Sequence, residues 1–371
     1  MSYDLAIVGA GICGLAHALA AARRGKRVVV IDRDAQANGA SVRNFGFVTV
    51  TGQQAGDCWR RAVRSRDMWA EIAPQAGIAI VQRGLLVAAR RPEALAVLEA
   101  FAATDMGAQC RVLRGDEMGA YGAGLRAGLA GGLYSPHEIR VESREAIPRL
   151  AAWLSVAHGV TFLRETSVRA VAPPRVETSR GIVEAEAVVV CPGDDFVSLL
   201  PGHLSGLTRC KLHMLRLAPS RFDARLPTVM SDLGLVRYLG YAELPEAAAL
   251  KARLVAEQSA QLEHGVHLIV ARSADGSLVV GDSHHYAATP DPFAPTFVDD
   301  LILQEYSAVF DGPVPPVAAR WTGTYASAPD RLMQRERIAD ALYVVLITSG
   351  SGVSTSFAIA QETIAELYGA P

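Results

Sequence analysis

Aromatic residues make up only 6% of this chain, and no uninterrupted apolar run approaches the roughly 18 residues that a membrane span requires. Cysteine is sparse too. The five residues Cys13, Cys58, Cys110, Cys191 and Cys210 are odd in number and scattered, without a CxxC pair. That usage fits neither a disulfide framework nor a zinc site, no metal ligands are expected, and free thiols in a reducing compartment are. Charge of one sign is also missing. Lys and Arg number 36 against 38 Asp and Glu, a net charge of −2, so no basic field points to nucleic acid. Arg60, Arg61, Arg64 and Arg66 fall at helical spacing beside Trp59 and Met68 and read as the solvated face of an amphipathic helix. The first residues enter a strand directly, without the parts of a signal peptide. The expectation is a cytoplasmic protein without membrane contact. Its 371 residues, half of them hydrophobic, hold material for about two domains.

What the sequence does have is glycine in an ordered context. Tyr3 to Val8 reads as a buried strand, Gly9-Ala10-Gly11-Ile12-Cys13-Gly14 follows, and a helix of small residues runs to about Arg24. A second apolar strand from Arg27 to Ile31 ends on Asp32, followed by Arg33. Gly9 suits a tight turn, Gly11 the close approach of backbone to a pyrophosphate, and Gly14 close packing of helix on strand. The phosphates would sit at the positive helix N-terminus, and Asp32 is placed to accept from a ribose hydroxyl. A Gly-rich turn in an ordinary βαβ unit is the plainer alternative. Strand, glycines, helix, strand and acid in sequence favour a dinucleotide site.

Further along, helices are expected near 58–75, 93–106 and 142–158, and residues 78–90 read as a strand pair turning near Arg83-Gly84. Strands are expected over 160–172 and 181–191, the latter running into Cys191-Pro192-Gly193. Gly122-Ala123-Gly124 lacks a leading strand and a following acid, and reads as a loop. Residues 206–325 change character, with short β segments (212–217, 235–241, 267–271 and 278–282) and helical stretches near 245–262 and 297–310. They predict an antiparallel sheet with flanking helices. A buried strand over 341–347, the loop Ser349-Gly350-Ser351-Gly352-Val353-Ser354 and a last helix from Phe357 return the chain to the first domain. The fold class is therefore α/β, with residues 1–82, 140–205 and 326–371 as a nucleotide domain. Residues 83–139 and 206–325 form an inserted α+β substrate domain.

Four blocks together resemble the FAD-dependent amine and amino-acid oxidase family that includes D-amino-acid, glycine and sarcosine oxidases. They are Gly9–Gly14 with Asp32-Arg33; Ser41-Val42-Arg43-Asn44-Phe45-Gly46; Thr166-Ser167-Val168 with Cys191-Pro192-Gly193; and Ser349–Ser354. The resemblance implies FAD, with Ser41, Arg43, Asn44, Phe45 and Gly46 against pyrophosphate and flavin ring. It implies adenine at the Val168 backbone and the flavin pyrimidine edge at the Ser349–Ser354 loop. Where sarcosine oxidases carry the cysteine that anchors flavin, this chain has Gly323, so the FAD is expected to be non-covalent.

Arg43-Asn44-Phe45-Gly46, Cys210 to Arg216 and Gly281-Asp282-Ser283-His284 are more narrowly similar to a phosphonate-associated subfamily. It oxidises 2-aminoethylphosphonate or N-methyl relatives to phosphonoacetaldehyde. That implies a pocket of cations and donors. Lys211, Arg216, Arg237, His284 and His285 are the candidates, with Tyr238 and Tyr325 lining the site; for Arg237 a surface charge or solvated strand face is the favoured reading. His284 is the one catalytic candidate, a helper in amine binding or deprotonation, because histidine titrates near neutrality. The expected partners are a small amine and dioxygen or another acceptor, in a monomer or small homo-oligomer. The alternatives are a generic glycine- or sarcosine-type oxidase and a non-catalytic flavin-binding protein. Gly281-Asp282 imitates a flavin monooxygenase signature, but the three prolines between Tyr286 and Pro295 follow where a helix would be needed.

Overall fold

Successive residues of a strand face opposite sides of its sheet, so a strand covered on both sides must be apolar throughout. The Leu5–Val8 half of the strand Ser2–Val8 obeys this. Leu5 and Ile7 enter one core, with Leu15, Leu19 and Phe357 from helices, while Ala6 enters another with Val29, Ile31, Val188 and Val190. In the computed structural model, which describes residues 2–369, this strand lies at the centre of an eight-stranded sheet. Six of the strands run in the order Met333–Ala339, Leu342–Ile347, Gly181–Val190, Ser2–Val8, Val28–Ile31, Thr161–Leu163, and Val168–Ala172 and Arg175–Thr178 branch off Gly181–Val190. The inner pairings are parallel, with Leu5↔Val28, Val8↔Val190 and Val190↔Val344 in register. Helices Ile12–Ala22, Ser143–His158 and Gly352–Tyr368 cover one face, each contributing to the same apolar cluster.

A second, ten-stranded sheet carries most of the insert. It is antiparallel apart from one pairing, in which Thr228–Ser231 runs parallel to Ile80–Ala89. Thr208–Leu217 and Val317–Ser327 pair along their whole length. Both sheets together give the expected α/β fold with a nucleotide-binding part and a second, mixed sheet. The bounds expected at 82 and 139 fall inside Ile80–Ala89 and Gly131–Val141, which belong to the second sheet.

Several expected elements take a different form. Residues 78–90 do not make a strand pair. Ile80–Ala89 is one strand with a register shift between Arg83 and Leu85, where Gly84 has φ 78°. Both halves pair with the same partner, so the glycine makes a bulge and not a turn. Residues 235–241 are not a strand either. A 3₁₀ turn (Asp232–Val236) and a short helix (Leu239–Ala242) replace it, fixed by the Gly240 N–H donating to Gly52 O at 3.0 Å. The final helix starts at Gly352, ahead of the expected Phe357.

Candidate active site

A cleft of about 630 Å³ opens where the two sheets meet and is lined from both, a volume in the range of cofactor and small-molecule sites. Its first part is the glycine cradle. Gly9 has φ 104°, and a Cβ on Gly14 would overlap the Gly9 carbonyl oxygen. Only glycine lets strand and helix meet this way. The helix from Ile12 has no acid in its first turn and no side-chain cap from Gly11, which leaves a positive end toward the cleft.

Asp32 lines the same part. Its Oδ2 accepts the Ala10 N–H at 2.6 Å and its Oδ1 the Asp34 N–H at 2.9 Å. A carboxylate has further lone pairs, so it can tie the loop and still accept a ribose hydroxyl. Ser41 Oγ accepts the Ile12 N–H at 2.9 Å, fastening the second loop onto the first. Arg43 donates to Asn38 Oδ1 at 3.1 Å and to Thr322 O. Asn44 shapes its own loop, since its Oδ1 accepts from Gly46 N–H and Ser143 Oγ–H and its Nδ2 donates to Ala40 O. Arg33 lines the rim and pairs with Asp195 at 3.1 Å. Phe45, Val168, Cys191, Pro192 and Gly193 also line the cleft, as do Ile12 and Cys13. Contact with Cys191 holds the buried Cys13 thiol below its ordinary value, while the same contact, then burial, push Cys191 up.

The Ser349–Ser354 loop lines the cleft at the start of the last helix, which likewise has no acid in its first turn. Ser349 Oγ donates to Leu332 O and lies 2.7 Å from Ser351 Oγ. Ser354 Oγ accepts the Thr49 N–H at 2.8 Å. Gly350 stands against the Tyr325 ring, where a Cβ would lie 3.1 Å from Cζ. Thus two helix N-termini and a bare glycine floor converge on one cleft. These residues fit a dinucleotide: the donors, the positive helix ends and the absent side chains are those a pyrophosphate needs.

The remaining lining carries the charged and titratable groups. Tyr238, His284 and Tyr325 are present, as expected. Lys211, Arg216 and His285 are not. Lys211 lies on the opposite face of its strand from Leu212, nearly fully buried, with Nζ donating to Asp291 O and Phe293 O at 2.6 Å. Arg216 is held by Ser273 and Ser277 hydroxyls and by Glu142 at 3.6 Å. His285 meets His264 at 3.0 Å, and burial pushes it down to about 4. All three spend their donors or their charge on the protein itself.

Arg237, expected on the surface, lines the cleft and donates to Tyr286 Oη at 2.9 Å. Among the described residues no carboxylate lies within 4.0 Å of its guanidinium. Two further residues escaped the sequence. His267 and Asp282 line the cleft with His284, all buried, at 3%, 4% and 7% exposure. The backbones of His267 and Asp282 exchange hydrogen bonds (3.1 and 2.9 Å), which sets His267 Nδ1 3.1 Å from Asp282 Oδ1. His284 Nδ1–H donates to Gly265 O at 2.9 Å, so its Nε2 is a bare acceptor, 3.8 Å from Asp282 Oδ2. Burial pushes the Asp282 carboxyl up to about 8, with Arg237 opposing. Burial, then Arg237, hold both histidines well below their ordinary value and so neutral.

No curated protein matches this sequence. Solved structures share the fold. Glycine oxidase from Bacillus cereus has TM-score 0.77 at 17% identity over 99% of this chain and 95% of its own. Iminodiacetate oxidase from Chelativorans sp. BNC1 has 0.73 at 18%, over 99% and 96%. Dithionite-reduced L-α-glycerophosphate oxidase from Mycoplasma pneumoniae, with FAD bound, has 0.74 at 14%, over 99% and 95%. The family model described as FAD dependent oxidoreductase matches residues 4–366. Cradle, cleft and match agree: the chain belongs to this DAO family, and its cofactor is FAD.

Proposed function

We propose that this FAD-dependent oxidoreductase oxidises a small amine that also carries an anionic group, with 2-aminoethylphosphonate or its N-methyl form as substrate. The observation that carries the reading is Arg237, a cation inside the cofactor cleft without a carboxylate partner. A buried or half-buried guanidinium is normally paired, and planar forked donors match phosphonate or carboxylate oxygens. The segments similar to the phosphonate-associated subfamily support the phosphonate, since Phe45, Leu212, Asp282 and His284 of those segments all border the cleft.

The chain's own residues divide the work. Arg237, with Tyr286 beside it, holds the anionic end; a wall of buried Leu212 and half-buried Tyr238 and Tyr325 keeps water away from the α-carbon. His284 offers the bare Nε2 to an amine N–H. Bound FAD supplies the two-electron acceptor for the α-hydride. The product imine hydrolyses to phosphonoacetaldehyde with ammonia or methylamine, and dioxygen or another acceptor takes the electrons. The five cysteines are free thiols, which supports a reducing compartment. Among the described residues no helix is long and apolar enough to cross a membrane.

A carboxylate amine of the glycine or iminodiacetate kind is the second reading, favoured by the shared fold with oxidases of those names. Anaerobic reduction of the yellow protein separates the two. 2-Aminoethylphosphonate and its N-methyl form should bleach the flavin faster than glycine, sarcosine or iminodiacetate, and putrescine should leave it oxidised. Equal or reversed rates among the anionic amines would remove the phosphonate, and a rapid response to putrescine would remove Arg237 from the reading.

A further inference from the structure

We propose that Asp282 is the group that takes the proton from the substrate's ammonium, with His284 Nε2 holding the same nitrogen from the other side. The inference rests on the amine-oxidation reading above and deepens it. An amine reaches the enzyme near neutral pH as an ammonium, whose α-hydride is not available until a lone pair appears on nitrogen. Some group in a water-poor cleft has to remove that proton.

Asp282 is built for it. Its Oδ1 has no hydrogen-bond partner although the residue is buried, a rare condition for a carboxylate. Once Asp282 is ionised, its Oδ2 and His284 Nε2 are two acceptors facing each other 3.8 Å apart with no donor between them. Two acceptors at about 2.9 Å from one tetrahedral ammonium stand about 4.7 Å apart, so less than an ångström of opening admits the nitrogen. Five groups face the carboxylate: His267 at 3.1 Å, His284, Arg237, Tyr238 and Cys210. Arg237 is the one permanent cation among them and forms no ion pair with Asp282. The cleft therefore presents an unpaired cation and an unpaired acid together, the complement of a zwitterion.

The transfer balances simply. An N–H bond of the ammonium breaks, an O–H bond forms on Asp282, and the bonding pair stays on nitrogen as the lone pair. The charges of carboxylate and ammonium vanish together, which suits a buried site. Burial also narrows the energetic gap. An alkylammonium titrates near about 10 and an ordinary aspartate near about 4. At about 8, Asp282 lies much nearer the donor.

The test follows the rate of FAD reduction in holoenzyme mixed anaerobically with 2-aminoethylphosphonate from pH 6 to 10, for wild type and Asp282→Asn. Wild type should rise through an apparent value near 8 and level off. Asp282→Asn should keep its FAD and spectrum but depend on free amine in solution, slower by about 100-fold at pH 8 and recovering toward pH 10, given an ammonium near about 10. An analogue fluorinated beside the amine, whose ammonium is more acidic, should lose most of that difference. An unchanged profile in Asp282→Asn, or a loss equal at every pH and for both substrates, overturns the assignment. A wild-type flavin that no anionic amine reduces overturns the amine reading itself and the relay with it. If Asp282→Asn does not fold, His284→Gln provides the second measurement. It should weaken the same limb by a smaller factor, and a flat response there also counts against the proposal.

Discussion

Gly11 offers its missing side chain to Ser41. A Cβ there would lie 2.9 Å from Ser41 Oγ, the atom that accepts the Ile12 N–H at the mouth of the first helix. Gly11→Val should therefore push the second loop off the first and release FAD, with gel filtration yielding a colourless protein. Stoichiometric yellow protein would remove Gly11 from the cradle. Arg237 invites a different experiment. Arg237→Met keeps the volume and removes the charge, so KM for an anionic amine should rise by at least 100-fold, the scale of losing about 3 kcal/mol of charge-assisted bonding. FAD content should not change, because the side-chain hydrogen bond of Arg237 goes to Tyr286 and not to a cradle loop. Arg237 also shows what was hidden from the sequence. A lone arginine carries no mark of burial; its position follows from the helical break at 232–242, which tertiary contact with Gly52 imposes. Lys211 shows the converse, since which face of a strand meets the cleft depends on the register of its neighbours.

At the level of elements, the last helix is a part of the site that packing holds in place. Trp69, fully buried in Asp57–Gln75, donates its Nε1–H to Val353 O at 2.8 Å and meets the Phe357 ring edge-on at 5.2 Å. Trp69→Leu should cost about 3 kcal/mol, combining an unsatisfied carbonyl with a cavity. It should lower Tm and speed FAD loss, since the loosened residue belongs to the Ser349–Ser354 loop. An equal Tm drop with unchanged FAD release would separate the helix from the cofactor. The elements nearest the cradle were the most legible. Ser2–Val8, Ile12–Ala22 and Val28–Ile31 signal themselves through local apolar runs and glycine, and need no distant partner to be read. The pairing of His267 with Asp282 was not legible, because fifteen residues of hairpin decide it. In the sequence Gly281-Asp282 carries part of the subfamily resemblance and imitates a flavin monooxygenase signature, but nothing there marks Asp282 itself as a site residue.

For the molecule as a whole, the buried acid leaves a signature in stability. The folded apoprotein keeps a proton on Asp282 up to about 8, whereas the unfolded chain releases it near about 4. Folded protein binds more protons in that window, so this group's contribution to stability declines as pH rises through it. The neutral histidines His267 and His284 act in the opposite sense, withdrawing stability as pH falls below about 6.5. Between pH 6.5 and 8 only Asp282 of the three changes, and Asp282→Asn should grow more stable relative to wild type across that range. Parallel Tm curves for the two apoproteins would mean that Asp282 is ionised throughout. The α/β class and the return of the chain to its first sheet were readable because strand, loop and helix recur at both ends. The second sheet's parallel pairing of Thr228–Ser231 with Ile80–Ala89 was not, since nothing local marks it.

That return has a consequence for how the protein is made. Val344 pairs beside Val190 and through it reaches Val8, while Tyr368 Oη donates to Asp4 O at 2.9 Å and Arg24 donates to the Gly369 carbonyl. The cradle leaves the ribosome long before the Gly352–Tyr368 helix whose N-terminus completes it. Until then the Leu5, Ile7 and Leu15 side of the first sheet lacks Phe357 and Ile359 against it. Cofactor capture thus waits for the Gly352–Tyr368 helix, and a nascent chain stalled before Gly352 would present an exposed apolar face with no flavin to close it.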